Sequence, residues 1–297
     1  MMTQKIVPCL WFDTEAKEAA ELYTSLFPKS KIMLDSKLEG TPSGEVSQLT
    51  FEIMGFKFYA MSAGPYFKKN PSISFMVSFK SSEIDTLKHI FDVLKQGGNV
   101  VMDLKAYPFS PLYAWVEDKY GVSWQLIVND NEDAQRVKPT LLFNNDNTGK
   151  CEAAVDYYLS VFKDAQKNAF HYYPENMTPN LPTHVMHGEF VLEGITFCTM
   201  DSAYEYDYQF NEGVSLIIYA DNQAEIDYYW EQLSHDSKAE QCGWLKDKYG
   251  VSWQVTPSIM DDMMNGTEEQ IKRVTEAFLQ MKKFDIAALE AAYKGEN

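Results

Sequence analysis

A histidine and a carboxylate two residues apart are the part of this sequence best suited to acid–base chemistry. His187 and Glu189 lie in the run Val185 to Val191. If this run is a strand, both side chains point to the same face. The imidazole titrates near neutral pH and the carboxylate can orient it, so the pair could act as general acid and base. The alternatives are a metal-ligand cluster that includes His184, or two polar positions that line a cavity or face solvent.

A second group of residues occurs twice. The sequence DKYGVSWQ spans Asp118 to Gln125 and recurs from Asp247 to Gln254. Eight identical residues that include a tryptophan indicate an internal duplication rather than a coincidence. In a strand, the tryptophan and the glutamine of each copy point to opposite faces. We therefore expect both tryptophans in the core, and Gln125 and Gln254 on the other face.

Further segments repeat in the same order along the chain. The end of a predicted helix at residues 23–27, for example, matches residues 158–162. A period of about 130–140 residues is the size of a domain rather than of a solenoid repeat. We predict two similar domains, residues 1–132 and 136–258, followed by a tail, residues 259–297, that has no counterpart.

The same order of elements is predicted in both halves. Hydrophobic periodicity and turn residues indicate the order βαβββ twice in each half. The second half has a shorter segment before Trp244 than the first half has before its equivalent. In the tail, apolar residues at helical spacing predict one long helix from Thr267 to Tyr293 that packs across the two halves.

Charge and composition exclude several kinds of partner. The chain has 26 Lys and Arg residues against 43 Asp and Glu, a formal net charge of −17, so we expect no binding to nucleic acid or to membranes. No apolar stretch approaches membrane-spanning length and no signal-peptide core is present, which predicts a cytoplasmic protein. The four cysteines lie far apart without a CxxC pair, which predicts reduced, buried thiols.

Together, the βαβββ order and the repeated strand motif resemble a known family. The chain resembles the PhnB-like proteins of the vicinal oxygen chelate superfamily, which are also called 3-demethylubiquinone-9 3-methyltransferase-like and share the fold of glyoxalase I and bleomycin-resistance proteins. The resemblance covers about residues 5–257. It implies an α+β fold with two tandem vicinal-oxygen-chelate domains, each built from paired βαβββ units with a cupped mixed sheet, plus a C-terminal helix. A methyltransferase cofactor is not expected, because the sequence has no glycine-rich turn of the nucleotide-cradling type.

The resemblance also implies where a ligand would bind. Metal-dependent members of the superfamily hold an ion with His, Glu or Gln from strands of both units. The positions that correspond here, and that we expect to bind a ligand, are Gln125, Gln254, Ser74, Ser215, Met61, Met200 and Asp201. Most of these side chains are neutral and a divalent ion usually needs about three or four donors, so we expect no catalytic metal and no other cofactor.

These observations favour a protein that binds a small molecule without a metal. The alternatives are a metal-dependent lyase, isomerase or dioxygenase of the same superfamily, a metal-free enzyme that uses His187 and Glu189, and a scaffold whose second half completes a pseudo-dimer. Because tandem halves can reproduce a dimer within one chain, we expect a monomer, with a homodimer as the alternative. The sequence names no substrate.

Overall fold

Four βαβββ-like units follow one another along the chain, two in each half. The computed structural model describes residues 4–41, 44–131 and 135–296, with only the backbone at 39 and 40. Several predicted boundary residues lie outside the described residues: 1–3, 132 and 297.

The first half contains units 1 and 2. Unit 1 consists of β1 (Ile6–Phe12), α1 (Ala16–Leu26), β2 (Lys31–Thr41), β3 (Gly44–Ile53) and β4 (Phe56–Ser62). Unit 2 consists of β5 (Ile73–Phe79), α2 (Ile84–Leu94), β6 (Asn99–Tyr107), β7 (Ser110–Glu117) and β8 (Ser123–Val128). The order predicted from the sequence is thus present in both units.

The second half contains units 3 and 4. Unit 3 consists of β9 (Val137–Phe143), α3 (Cys151–Val161), β10 (Gln166–Tyr172), β11 (Val185–Leu192) and β12 (Ile195–Asp201). Unit 4 consists of β13 (Val214–Ala220), α4 (Gln223–Leu233), β14 (Trp244–Lys246) and β15 (Ser252–Pro257). Within the described residues, unit 4 has no counterpart of β6, because the segment before Trp244 is too short.

The strands form two sheets, and each sheet joins units from different halves. Sheet A has the order β14-β15-β13-β1-β4-β3-β2, so it combines unit 1 with unit 4. Sheet B has the order β10-β11-β12-β9-β5-β8-β7-β6, so it combines unit 3 with unit 2. Antiparallel pairs join the halves: β1 with β13 in sheet A and β5 with β9 in sheet B.

The helices of the four units pack on one face of each sheet. In α1, the buried residues Ala16, Ala19, Ala20 and Tyr23 recur at helical spacing and face the core. Helices α1 and α4 pack on sheet A, and α2 and α3 pack on sheet B. The side chains beneath them form one continuous hydrophobic cluster that includes residues from all four units. This leaves the opposite face of each sheet available for a site.

The tail crosses the face of sheet A that lies opposite helices α1 and α4. It contains α5 (Met260–Met263), α6 (Glu268–Phe278) and α7 (Ile286–Lys294), so the prediction of one long helix is wrong. Asp285 starts a new helix, because its side chain accepts a hydrogen bond from the Ala288 N–H at 3.0 Å. Helix α6 packs on β2 of the first half, and the N–H groups of Cys242 and Gly243 in the second half donate to tail carbonyls.

The predicted fold class is confirmed: the chain has two tandem α+β domains with mixed sheets, followed by C-terminal helices. Gly243 shows how closely the tail packs, because an added Cβ would lie 2.5 Å from the Phe284 ring. No helix among the described residues is long and apolar enough to cross a membrane.

Candidate functional site

The aspartate of the repeated motif is a structural residue. The Asp118 carboxylate accepts hydrogen bonds from the Tyr23 hydroxyl at 2.6 Å and from the Trp124 indole at 2.9 Å. Its other oxygen accepts from the N–H groups of Tyr120 and Val122. Four donors therefore converge on one buried carboxylate, which joins α1 to the turn before β8.

The second copy repeats this network. Asp247 accepts from the Tyr158 hydroxyl at 2.8 Å, from the Trp253 indole at 2.9 Å and from two backbone N–H groups. Burial raises the pKa of both aspartates, even though the hydrogen bonds act to lower it. Both tryptophans are fully buried. The motif therefore stabilises the fold through its aspartate and tryptophan, whereas its glutamine lies on the other face of the sheet.

The candidate sites are the faces of the two sheets opposite helices α1 to α4, and we call them cup A and cup B. Cup A, on sheet A, contains Val7, Cys9, Gln48, Tyr59, Met61, Ser215, Ile217 and Gln254. Cup B, on sheet B, contains Lys138, Thr140, His187, Glu189, Cys198, Met200, Ser74, Met76, Gln125 and Tyr113. Six of the seven predicted ligand-binding residues thus form two groups, one in each cup, and Asp201 belongs to neither.

A glutamine–serine hydrogen bond is common to both cups. Gln125 donates to the Ser74 hydroxyl at 2.8 Å, and Gln254 donates to the Ser215 hydroxyl at 2.9 Å. In cup B, the glutamine carbonyl also accepts from the Tyr113 hydroxyl at 2.7 Å. Both pairs are buried, so these polar groups largely satisfy one another.

The positions that the resemblance assigns to a metal do not fit one. In cup A they are occupied by Cys9, Met61, Ser215 and Gln254, which together offer no carboxylate and no imidazole. Burial raises the pKa of Cys9 to about 12, so this thiol keeps its proton. In cup B the equivalent residues are Thr140, Met200, Ser74 and Gln125. Neither set resembles the donors that divalent ions prefer in proteins.

Cup A encloses a cavity of about 460 Å³ beneath the tail. Its wall is mainly apolar and includes Trp11, Tyr59, Met61, Ile217 and Trp244. The tail closes it with Met260, Met264, Phe278 and Phe284. Gln48 and Gln254 supply amide groups at the sheet surface. A cavity of this size with an apolar wall and few polar groups is typical of a small-molecule site.

The ionic groups around this cavity are paired or exposed. The Lys57 ammonium lies 3.1 Å from the Asp261 carboxylate, and the Lys246 ammonium lies 2.7 Å from that of Glu212. Lys238, at the edge, is exposed to solvent. An ionic ligand would therefore find no strong counter-charge deep in cup A.

Cup B has a charged centre instead. The Lys138 ammonium lies 2.9 Å from the Glu189 carboxylate, and the Lys138 side chain is only 6% exposed. The buried thiol of Cys198 lies 3.8 Å from the same carboxylate, on the neighbouring strand. His187 shares the face of Glu189, as the alternation along β11 predicts.

The acid–base arrangement expected for His187 is only partly present. Burial lowers the pKa of this histidine, so its imidazole is neutral at pH 7. Among the described residues, however, the Glu189 carboxylate pairs with Lys138 rather than orienting the imidazole. His187, Glu189 and Cys198 offer ligand atoms that all lie within 4.8 Å of one another.

Asp201 lies apart from both cups. Its carboxylate accepts hydrogen bonds from the N–H groups of Gly149, Cys151 and Val185 at 2.8–3.2 Å, so it holds the start of α3 beside β11. Because Met200 faces cup B, Asp201 points to the opposite face of β12. It is therefore not a donor for either candidate site.

Sequence reasoning missed several residues of the cups. Lys138 was the most visible signal, because it is a charged side chain within the otherwise buried strand Val137–Phe143. Cys198 becomes important only through its register with Glu189, which the spacing of residues along the chain does not reveal. Of the tail residues that close cup A, Phe278 and Phe284 lie within the predicted helix and Met260 and Met264 precede it, and no sequence signal assigned any of them to a cavity.

The fold and the paired cups define a tandem protein with the glyoxalase fold. The family model described as 3-demethylubiquinone-9 3-methyltransferase matches residues 4–127 and 135–256. The chain therefore belongs to this PhnB-like family and contains its domain twice.

Several solved structures are similar to parts of this chain or to its fold. A PhnB protein from Bacillus cereus is 34% identical over 42% of this chain and 100% of its own, with a TM-score of 0.39. A protein from Staphylococcus aureus is 31% identical over 43% of this chain and 98% of its own, with a TM-score of 0.18. Glyoxalase I from Zea mays is 9% identical over 88% of this chain and 96% of its own, with a TM-score of 0.55, which reflects the shared fold alone. Among curated proteins no match was found.

Proposed function

We propose that the protein binds an uncharged, mainly apolar small molecule in cup A, without a metal ion. The cavity of about 460 Å³ between sheet A and the tail carries this proposal. Its wall would remove apolar ligand surface from water, which contributes about 25 cal/mol per Å² buried. The neutral side chains at the positions assigned to a metal support the metal-free part of the proposal.

The polar groups of cup A indicate which ligands it selects. The side-chain amide of Gln48 has no hydrogen-bond partner among the described residues and offers both a donor and an acceptor to a ligand. Trp11 and Trp244 lie edge to face with ring centroids 6.0 Å apart, so an aromatic ligand would find aromatic partners. We therefore expect an aromatic molecule with a polar group along one edge.

Fluorescence titration with an uncharged apolar dye, N-phenyl-1-naphthylamine, tests this proposal in the presence of EDTA. We expect saturable binding of one dye per chain. The Met61→Trp substitution should fill the cavity and weaken binding at least tenfold, which corresponds to about 1.4 kcal/mol. The matched variant Met200→Trp places the same side chain at the equivalent position of cup B and should leave dye affinity unchanged.

Two results would contradict the proposal. Equal loss of affinity in Met61→Trp and Met200→Trp would mean that the dye does not report on cup A, and loss of binding in EDTA would mean that a metal is required. The anionic analogue 8-anilino-1-naphthalenesulfonate should bind at least tenfold more weakly than the uncharged dye, because the described cations beside cup A are ion-paired or, like Lys238, exposed at its edge.

A further inference from the structure

Three side chains of different chemistry meet on the β11–β12 hairpin in cup B. His187 and Glu189 are two residues apart on one face of β11, and Glu189 is the direct register partner of Cys198 on β12. Their ligand atoms all lie within 4.8 Å of one another. Because both strands are held in an eight-stranded sheet, these donors are already close together before anything binds.

We infer that cup B contains a site for a divalent transition metal of the zinc class, held by His187, Glu189 and Cys198. Imidazole, carboxylate and thiolate are ligands that Zn²⁺ and Co²⁺ use in proteins, and three protein ligands leave one coordination position open toward the cup. The two β11 residues are not among the positions that the family resemblance assigns to a metal. The site is also separate from the dye-binding cavity proposed in cup A.

Metal binding at this site would change the protonation and pairing of its residues. The imidazole and the carboxylate can bind an ion directly, whereas the buried Cys198 thiol must release its proton to solvent. The Lys138 ammonium, 2.9 Å from Glu189, would have to yield this carboxylate to the metal. Lys138 and the metal therefore compete for the same charge.

Cup A provides an internal control, because the repeat places other residues at the same positions. Strand register aligns His187 with Gln48, Glu189 with Thr50 and Cys198 with Tyr59. These three residues offer no thiolate, imidazole or carboxylate. One metal per chain is therefore expected, and not one per cup.

Titration of the whole protein with Co²⁺ tests the inference, because a thiolate–cobalt bond produces a charge-transfer absorption band in the near ultraviolet. We expect a band that saturates at one Co²⁺ per chain and disappears when Zn²⁺ is added. The Cys198→Ser substitution should abolish it, His187→Gln should weaken Co²⁺ binding at least tenfold, and the cup A control Cys9→Ser should retain it. Absence of the band in the wild-type protein, or its survival in Cys198→Ser, would overturn the inference.

Lys138→Met provides a second test, in which the substitution should strengthen Co²⁺ binding instead of weakening it. If Lys138 competes with the metal, its removal should tighten Co²⁺ binding at least tenfold; weaker or unchanged binding would contradict the competition. Circular dichroism melting of each variant shows whether it is folded, and Cys198→Ala replaces Cys198→Ser if the latter is not. Dye binding to cup A in EDTA should be the same in all cup B variants, so failure of this inference is distinguishable from failure of the proposed function.

Discussion

Cup A and cup B have the same architecture but different chemistry. Both keep the glutamine–serine hydrogen bond, and both have a methionine at the equivalent strand position. They differ at the first strand, where cup A has Val7 and cup B has Lys138. The result is an apolar cavity in one cup and a buried ion pair in the other.

This difference divides the residues of the cups into two kinds. The shared glutamine and serine lie on strands of units 2 and 4, close to the repeated motif that stabilises each half, whereas the shared methionines lie on units 1 and 3. The residues that differ in charge, such as Val7 against Lys138 and Thr50 against Glu189, lie on strands of units 1 and 3. The comparison therefore suggests that the second unit of each half supplies a constant framework, and that the first unit sets the chemistry of its cup.

The largest loss of stability is expected for substitutions in the repeated motif, where the two halves are most alike. Asp118→Ala leaves four buried donors without an acceptor and should lower the free energy of unfolding by about 3–5 kcal/mol, and Asp247→Ala should do the same. Urea unfolding of both variants measures the two costs. Asp118→Asn, which keeps one acceptor oxygen, serves as the matched control and should cost less.

If the halves are equivalent frameworks, the costs of Asp118→Ala and Asp247→Ala should agree within about 1 kcal/mol. A larger disagreement would mean that one copy of the motif has lost its structural role. That result would contradict the division into constant and variable units.

Substitution of the two cup glutamines should cause smaller losses of stability, and the two losses should differ. Gln254→Leu removes one hydrogen bond to Ser215 and should cost about 1 kcal/mol. Gln125→Leu also deprives the buried Tyr113 hydroxyl of its acceptor and should cost about 2–3 kcal/mol. Thermal or urea unfolding of the two variants gives the comparison. Equal costs would show that the tyrosine hydroxyl finds another partner, and the expected asymmetry of the cups would then be wrong.

A pH-dependent effect is expected from a lysine beside strand β1 of the first half. The Lys69 ammonium lies 3.8 Å from the Phe12 ring centroid, whereas Phe210 packs against the equivalent Phe143 in the second half. Burial lowers the pKa of Lys69 to about 8, against 10.5 for an ordinary lysine. Between these pH values the unfolded chain binds a proton that the folded chain does not, so this lysine favours folding increasingly as pH rises.

Unfolding free energies measured from pH 7 to pH 10 test this prediction. The stability of the wild-type protein relative to Lys69→Met should increase as pH rises above about 8. The exposed neighbour provides the control, because Lys68→Met should show no such trend relative to the wild type. A constant difference between wild type and Lys69→Met would mean that Lys69 titrates as an ordinary lysine.

Much of the fold could be predicted from the sequence, because its signals are local. The repeated motif, helical spacing and strand alternation indicate the βαβββ order, the buried tryptophans and the shared face of His187 and Glu189. The break in the tail depends on Asp285 as a helix cap, a signal that was present but weaker than the surrounding apolar periodicity.

The candidate sites were harder to predict because they depend on contacts between distant segments. The pairing of β1 with β13 and of β5 with β9 determines which residues share a cup, and local patterns do not specify it. Local patterns also do not specify the register of Cys198 with Glu189 or the position of the tail over cup A. The position of Asp201 is not visible in the sequence, because its backbone partners come from two other elements of the same half.

The exchange of units between the two sheets has a consequence for how such a protein can diversify. A symmetric dimer of single domains would have two identical cups, because any substitution in the gene would appear in both. Once two copies are joined in one chain, each cup draws its first unit from a different half. Mutations can then change the ligand-binding residues of one cup while the other cup keeps its own. The residues of the repeated motif, which are the same in both halves, maintain the fold around each cup.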